Sequence, residues 1–209
     1  MKGDLHIHSR FSPDSSLEPD LIIQTAKKRG LGFIAITDHN KFVEHKGDIL
    51  LIRGEEVSSE DGHILALFID GEIPPRLSQE ETVDLIHSQN GIAVCAHPYR
   101  RVNGIGSRLR DLYDAVEAVN GRCRAKCNNK GKDLAKHLNR PMTAGSDSHF
   151  YDEIGRVFIE VDATDEESVR KAILSGQTII GGNDLTLAGQ VKLYLKLGKD
   201  YTLRGFKRI

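Results

Sequence analysis

Residues 33–39 read FIAITDH. The run 33–37 has the length of a strand and no polar alternation, the pattern of a strand buried on both faces. Directly behind it come a carboxylate and an imidazole, Asp38 and His39. The same kind of run recurs as ILLI (49–52), HILALFI (63–69), IAVCA (92–96) and VFIEV (157–161), with helical stretches between several of them. Pro19 suits the first turn of a helix ending near Gly30. Ser78 with Glu81 forms a capping box for a helix to about Asn90, and Thr164 with Glu167 forms another. Buried strands alternating with capped helices predict an α/β fold with a mainly parallel sheet.

The chain has 209 residues, enough to bury a full core as one domain, so any metal is expected to serve chemistry and not folding. Lys+Arg and Asp+Glu nearly cancel, at a net charge of −1, and no overall field draws the chain to nucleic acid or membrane. Cys95, Cys123 and Cys127 form no disulfide framework, and no apolar run reaches the length of a signal segment or a membrane span. A cytoplasmic protein is the expectation. Cys123 and Cys127 are expected on one helix as packing residues. With no linker or repeat, residues 1–209 read as one domain, a barrel over 1–183 and a tail over 184–209. The last twenty residues carry Lys192, Lys196, Lys199, Arg204, Lys207 and Arg208 against Asp200, a local +5, expected as a solvated face packed on the barrel. The stretch VKLYLKL (191–197) fits helix or strand.

Within a strand, residues i and i+2 share a face, so His6 and His8 of GDLHIHS present two imidazoles side by side. GSDSH places Asp147 and His149 in the same relation. His97 ends AVCAH, and His63 opens GHILALF. In ILLIRGEEV, Leu50, Ile52, Gly54 and Glu56 share the apolar, small face, so Glu56 points inward while Arg53 and Glu55 take the other side. The polar groups mostly follow their apolar runs, which is where active sites sit on barrels of parallel strands. Six of the nine histidines thus converge on one rim, whereas His45, His87 and His137 read as surface residues. Imidazole and carboxylate without converging thiols suit zinc, manganese or iron. The ligands are too many for one tetrahedral ion, and clustered ions suit hydrolysis of phosphate esters.

The ordered set DLHIHS, TDH, GEEVS, GH, AHP and GSDSH, spanning residues 4–149, resembles the signature motifs of the PHP (polymerase and histidinol phosphatase) family. The resemblance implies a distorted, TIM-like (β/α)7 barrel with two or three divalent ions at the carboxyl ends of its strands. It further implies that His6, His8, Asp147 and Glu56 share one ion, and that Glu56 bridges to a second held by His63 and His97. Asp14, His39 and His149 would hold the third; some members have histidine where Asp14 stands. The implied activity is that of a metal-dependent phosphoesterase attacking with a metal-bridging hydroxide. A nucleotide or short oligonucleotide is the expected substrate, with histidinol phosphate or a non-catalytic accessory role as alternatives. Arg10 and Arg100 are expected to hold phosphate oxygens in catalysis, with Arg101 and Asn120, and further Arg122, lining the substrate pocket. Asp38 is expected to orient a ligand or carry a proton, and residues 98–108 to form a substrate loop. Neither a stable nucleic-acid complex nor a membrane partner is expected; the oligomeric state stays open.

Overall fold

The computed structural model describes residues 1–203. Nine strands form one sheet: β1 (Lys2–Ile7), β2 (Phe33–Ile36), β3 (Leu50–Ser58), β4 (His63–Leu67), β5 (Ile92–Cys95), β6 (Ala115–Asn120), β7 (Met142–Gly145), β8 (Val157–Glu160) and β9 (Ile179–Gly182). Their spatial order is β7-β6-β5-β4-β3-β2-β1-β8-β9. The ends of the β1-to-β7 run meet. Ile7 bridges Ser148 in parallel, Asp147 N donates to His6 O at 2.7 Å, and His8 N donates to Ser148 O at 2.9 Å. Seven strands therefore curl into a nearly closed, distorted TIM-like barrel, and β8 and β9 extend the sheet beyond β1.

The sheet is mixed and not mainly parallel. β1–β2, β2–β3, β5–β6 and β6–β7 pair in parallel, but β3–β4, β4–β5, β1–β8 and β8–β9 are antiparallel. The physical reason lies in the turn at residues 59–62, where Ser59 N donates to Gly62 O. A parallel return needs a crossover of a dozen or more residues, so so short a link makes β4 run back against β3.

The helices α1 (Pro19–Lys28), α2 (Gln79–Ser88), α3 (Ala125–His137), α4 (Glu166–Leu174) and α5 (Leu187–Leu203) complete the fold. Proline opens α1, and Gly30 at φ +72° follows its end, a left-handed position that costs glycine little. Ser78 and Glu81 cap α2 reciprocally. In α4 the box is one residue further on than the Thr164–Glu167 reading: Asp165 caps through Ser168, a carboxylate serving the orphan amide as well as a hydroxyl would. Cys127 lies in α3, but Cys123 stands in the turn before it, so the two thiols do not share a helix. His87 and His137 are exposed, whereas His45 is half-buried, its ring Nε2 without a hydrogen-bond partner among the described residues.

Leu5, Phe33, Ile52, Leu65, Val94 and Val119 belong to the barrel's inner core, each buried apolar side chain contributing roughly 1.5–3 kcal/mol. Ile22, Ile23 and Ala26 seat α1 on Ile34 and Ile36, and Val83 and Ile86 seat α2 on Ile64 and Ala93. The ambiguous stretch 191–197 is helical, within α5, where Leu193 is buried and Lys196 pairs with Asp152 at 2.5 Å. Arg204, Lys207 and Arg208 lie outside the described residues. Among those described, no helix is long and apolar enough to cross a membrane.

Candidate metal centre

Strand ends deliver the charged groups to one rim. His6 and His8, on the same face of β1 and its extension, are fully buried, with their Nε2 atoms 3.1 Å apart. Glu56, inward on β3, is the hub. Its Oε1 stands 2.8 Å from His63 Nδ1 and 2.8 Å from His97 Nε2; its Oε2 stands 3.3 Å from both His6 Nε2 and His8 Nε2, and 3.0 Å from His39 Nδ1. Asp147 places Oδ1 3.3 Å from His8 Nε2 and offers Oδ2 to Arg100 at 2.6 Å and to Asn120 Nδ2 at 3.2 Å. Asp14 Oδ2 lies 2.8 Å from His149 Nε2 and 3.4 Å from His39 Nε2. Two residues here, His97 (φ +27°) and Asp147 (φ +53°), hold left-handed backbone, a strain of about 1–3 kcal/mol each that clusters at functional sites. Amide bonds fix both: His97 N donates to Glu117 Oε2 at 2.8 Å, and Asp147 N to His6 O.

The electrostatics follow from burial and proximity. Burial alone would raise Glu56 and Asp147, yet His63 and His6 around the first, and Arg100 and His6 around the second, hold both well below the usual carboxylate range. Asp14 is likewise lowered against its burial by His149 and His39. Burial opposes charging of His8, but Asp147 and Glu56 lift it to about 9, and His6 is raised by Glu117 and Glu56 in the same way. Burial lowers His97, and burial with Arg122 pushes His149 down to about 3.

Glu56 Oε2, Asp147 Oδ1, His39 Nδ1 and His97 Nδ1 are buried without a hydrogen-bond partner among the described residues, although imidazole or carboxylate atoms stand close to the first three. Unpaired buried polar atoms are costly, and a cation is what so many convergent lone pairs suit. Four overlapping groups have ligand atoms within 4.8 Å of one another and could hold an ion: His8, Asp14, His39 and His149; His6, His97 and Asp147; His6, His8 and Glu56; His39, Glu56 and His63. The residues fit a cluster of divalent ions, and all nine sequence candidates fall in these groups.

The other candidates divide. Arg100 joins the cluster through Asp147 and lines, with Arg101, Arg122 and Arg124, a cleft of about 610 Å³ that Leu193, Tyr194 and Leu197 of α5 also line. Among the described residues, no acid lines this cleft. Arg10 instead pairs with Glu18 at 3.1 Å, over half exposed, and the structure does not bring it to the cluster. Asn120 is buried and bonds Glu117 and Asp147. Both oxygens of Asp38 accept from Ser9, its amide and its hydroxyl, at 2.6 Å, which pins the loop carrying Ser12; burial raises the Asp38 pKa. Three contributors escaped the sequence reading. Ser12 Oγ meets His8 Nδ1 at 3.1 Å, Arg124 extends the cleft, and Glu117 reaches His6. Glu117 did leave a signal: an acid at the inward position of the apolar strand AVEAVN.

Among solved structures, the chain is similar to a two-domain protein of Bacteroides vulgatus containing a predicted PHP-like metal-dependent phosphoesterase, at 19% identity and TM-score 0.71 over 88% of this chain and 65% of that one. It is also similar to PsfC of Pseudomonas syringae (15%, TM-score 0.69, 96% and 97%), and to the lesion-specific endonuclease PfuEndoQ of Pyrococcus furiosus (20%, TM-score 0.60, 86% and 57%). These likenesses show the fold. The chain spans less than two thirds of the Bacteroides and Pyrococcus proteins. In sequence, it is 39% identical over 140 residues to the uncharacterized protein MJ1587 of Methanocaldococcus jannaschii, covering 57% of this chain and 82% of that one. It is 32% identical over 170 residues to MJ0417 of the same organism, covering 77% and 70%. A PHP-associated family model matches residues 126–178. The chain belongs to the PHP family. The matched PHP-associated segment runs from α3 through β7, Asp147 and His149 to α4, so it carries one of the acid–imidazole pairs of the rim.

Proposed function

We propose that this PHP-family chain is a metal-dependent phosphoesterase acting on a nucleotide or a short oligonucleotide. The observation that carries the reading is the hub at Glu56: one buried carboxylate faced by five imidazoles, with Asp147 and Asp14 at its flanks. His6, His8, Asp147 and Glu56 would hold one ion, Glu56, His63 and His97 a second, and Asp14, His39 and His149 a third; zinc, manganese and iron all suit these donors. Divalent ions bound there supply Lewis acidity toward a phosphoryl oxygen and bring the pKa of a coordinated water to about 7. The chain's own groups bind and orient. Arg100, held by Asp147, and Arg101 beside it donate to phosphate oxygens, a role that the planar guanidinium fills well. Asp38 orients the Ser9–Ser12 loop and, through Ser12, the His8 ring. The apolar wall of the cleft, Leu193, Tyr194 and Leu197, suits a planar base next to its phosphate. The similar Pyrococcus furiosus structure is that of a lesion-specific endonuclease, which is consistent with this substrate class. A cytoplasmic protein working on a small or single-stranded ligand, without a stable nucleic-acid complex, completes the reading.

The experiment is phosphate release from nucleoside mono- and bisphosphates, short oligonucleotides and histidinol phosphate with manganese, zinc or iron, comparing wild type with His97→Ala. Turnover that the variant loses by orders of magnitude while staying folded supports the proposal, and the preferred substrate names the function. Release from histidinol phosphate alone would replace the nucleotide reading. No release under any metal would leave an accessory binding protein.

A further inference from the structure

Glu117 sits mid-way along β6, 1% exposed, between the inward, apolar Ala115 and Val119. A carboxylate is costly there unless donors satisfy it. Three do. Oε2 accepts from His97 N at 2.8 Å and from Asn120 Nδ2 at 3.1 Å, and Oε1 stands 2.9 Å from His6 Nδ1. The backbone amide and the side-chain amide can only donate, so Oε2 only accepts, and a carboxylate facing His6 with Oε1 likewise asks the ring for a proton. His6 therefore carries hydrogen on Nδ1. Its Nε2 faces the cluster, 3.1 Å from His8 Nε2 and 3.3 Å from Glu56 Oε2. His8 and His149 are anchored by their Nδ1 atoms too, but against the Ser12 hydroxyl at 3.1 Å and the Asp147 carbonyl at 3.0 Å. His6 alone of these three leans on a carboxylate, the partner that most strengthens an imidazole as a donor to metal.

The brace extends further. Asn120 Nδ2 bonds Glu117 Oε2 and also Asp147 Oδ2 at 3.2 Å, and the Glu117 bond to His97 N holds that residue in its left-handed backbone. One carboxylate thus ties together ligand residues from β1, from the end of β5 and from beyond β7. We infer that Glu117 is the positioning residue of the metal centre, fixing His6 in the Nδ1–H tautomer with Nε2 turned to the ions and bracing His97 and Asp147 from behind; the inference rests on the metal-centre part of the reading above.

The test is Glu117→Gln in the full chain. The amide has one accepting oxygen for three donors. If it serves His97 and Asn120, its NH2 faces His6 Nδ1 and forces the proton to Nε2; if it serves His6, the NH2 collides with two donors. Zinc binding by calorimetry with a competing chelator is expected to weaken about 10–100-fold for the ions that His6 and His97 would hold. The ion at Asp14, His39 and His149 should keep its affinity within about twofold, the selectivity that general loss of structure would not produce. Nitrogen-15 histidine spectra of the zinc-loaded wild type provide a reading that does not depend on how the variant folds, and should show His6 protonated at Nδ1. Glu117→Gln binding every ion as tightly as wild type, an equal loss at every ion, a wild type that takes up no zinc, or His6 protonated at Nε2 would each overturn the inference. A wild type that binds zinc through Nε2 of His6 and yet releases no phosphate would sink the phosphoesterase proposal alone.

Discussion

Glu55 lies one residue from the hub and on the opposite face of β3, and it makes the stability of this protein depend on pH in a sign that can be worked out. Its side chain is fully buried; Oε1 accepts from Ile73 N at 3.0 Å and Oε2 has no hydrogen-bond partner among the described residues. Burial pushes its pKa from 4.5 to about 8, against the amide bond from Ile73. The folded chain thus holds this proton more tightly than the unfolded chain does. The stability linked to it is fully present below pH 4.5 and is lost as pH rises through 8. At 1.36 kcal/mol per pKa unit, the difference of about 3.5 units corresponds to about 5 kcal/mol between the two limits, an upper figure because local rearrangement would relieve part of it. Glu55→Gln keeps an oxygen for Ile73 N and cannot ionise. Urea midpoints from pH 5 to 9, with a chelator present so that ion binding does not enter, should show the two proteins within about 1–2 kcal/mol at pH 5, where the amide leaves one donor unpaired. By pH 9 the variant should be the more stable by several kcal/mol. Other groups titrate in both proteins, Asp4 near 6 and His8 near 9 among them, so the difference between the curves isolates Glu55. Parallel curves, separated by a constant amount across the range, would refute the reasoning.

Other perturbations test the packing around the ions. A Cβ on Gly145 would lie 2.3 Å from His6 Cβ and 2.9 Å from His6 N, so Gly145→Ala must push β7 away from β1; a loss of about 1–3 kcal/mol in the urea midpoint is expected, together with weaker ion binding, and a wild-type midpoint would show the contact to be soft. Asp14→Asn replaces a carboxylate oxygen 2.8 Å from His149 Nε2 by a weaker donor, so metal analysis after dialysis should find one ion fewer per chain than in wild type; an unchanged count would remove Asp14 from the ligand set. Arg100→Gln, which strips Asp147 of its 2.6 Å partner and the cleft of a lining guanidinium, should raise KM for a phosphorylated substrate at least tenfold with a smaller fall in kcat, because the guanidinium is expected to bind ground state and transition state alike. An equal loss in kcat with KM unchanged would place Arg100 in the transition state instead.

What the sequence made legible was whatever follows from period and parity. His6 and His8 share a face because strands repeat every two residues, and counting from Ile52 turns Glu56 inward and Glu55 outward without further information. Direction was less legible. An apolar run does not state which way it points, and the antiparallel course of β4 was carried only by the shortness of the 59–62 turn. Least legible were groups whose partners are remote in sequence. Glu117 finds His6 across 111 positions, and the arginines at 122 and 124 meet an α5 wall whose period alone did not distinguish helix from strand. The half-burial of His45, likewise, depends on neighbours brought from elsewhere in the fold.

The reversed strand explains why Glu56 can serve as hub. β1, β2 and β5 reach the rim only at their last residues, so each brings its imidazole there as it ends. β4 descends from the rim, and its first residue, His63, therefore stands at the same height as the ends of the others. In the β3–β4 register, Ser58 faces His63 and Glu56 faces Leu65, which sets His63 diagonally across from Glu56 on the inward side, within reach of a long side chain. β3 at nine residues overshoots β2, and its Glu56 bridges His39 beyond the end of that strand. With the hairpin supplying one imidazole from within its own ladder and β2 supplying another alongside, the two oxygens of a single carboxylate can face five histidines from four separate segments. An all-parallel arrangement of the same runs would send the amino end of β4, and His63 with it, to the opposite mouth of the barrel.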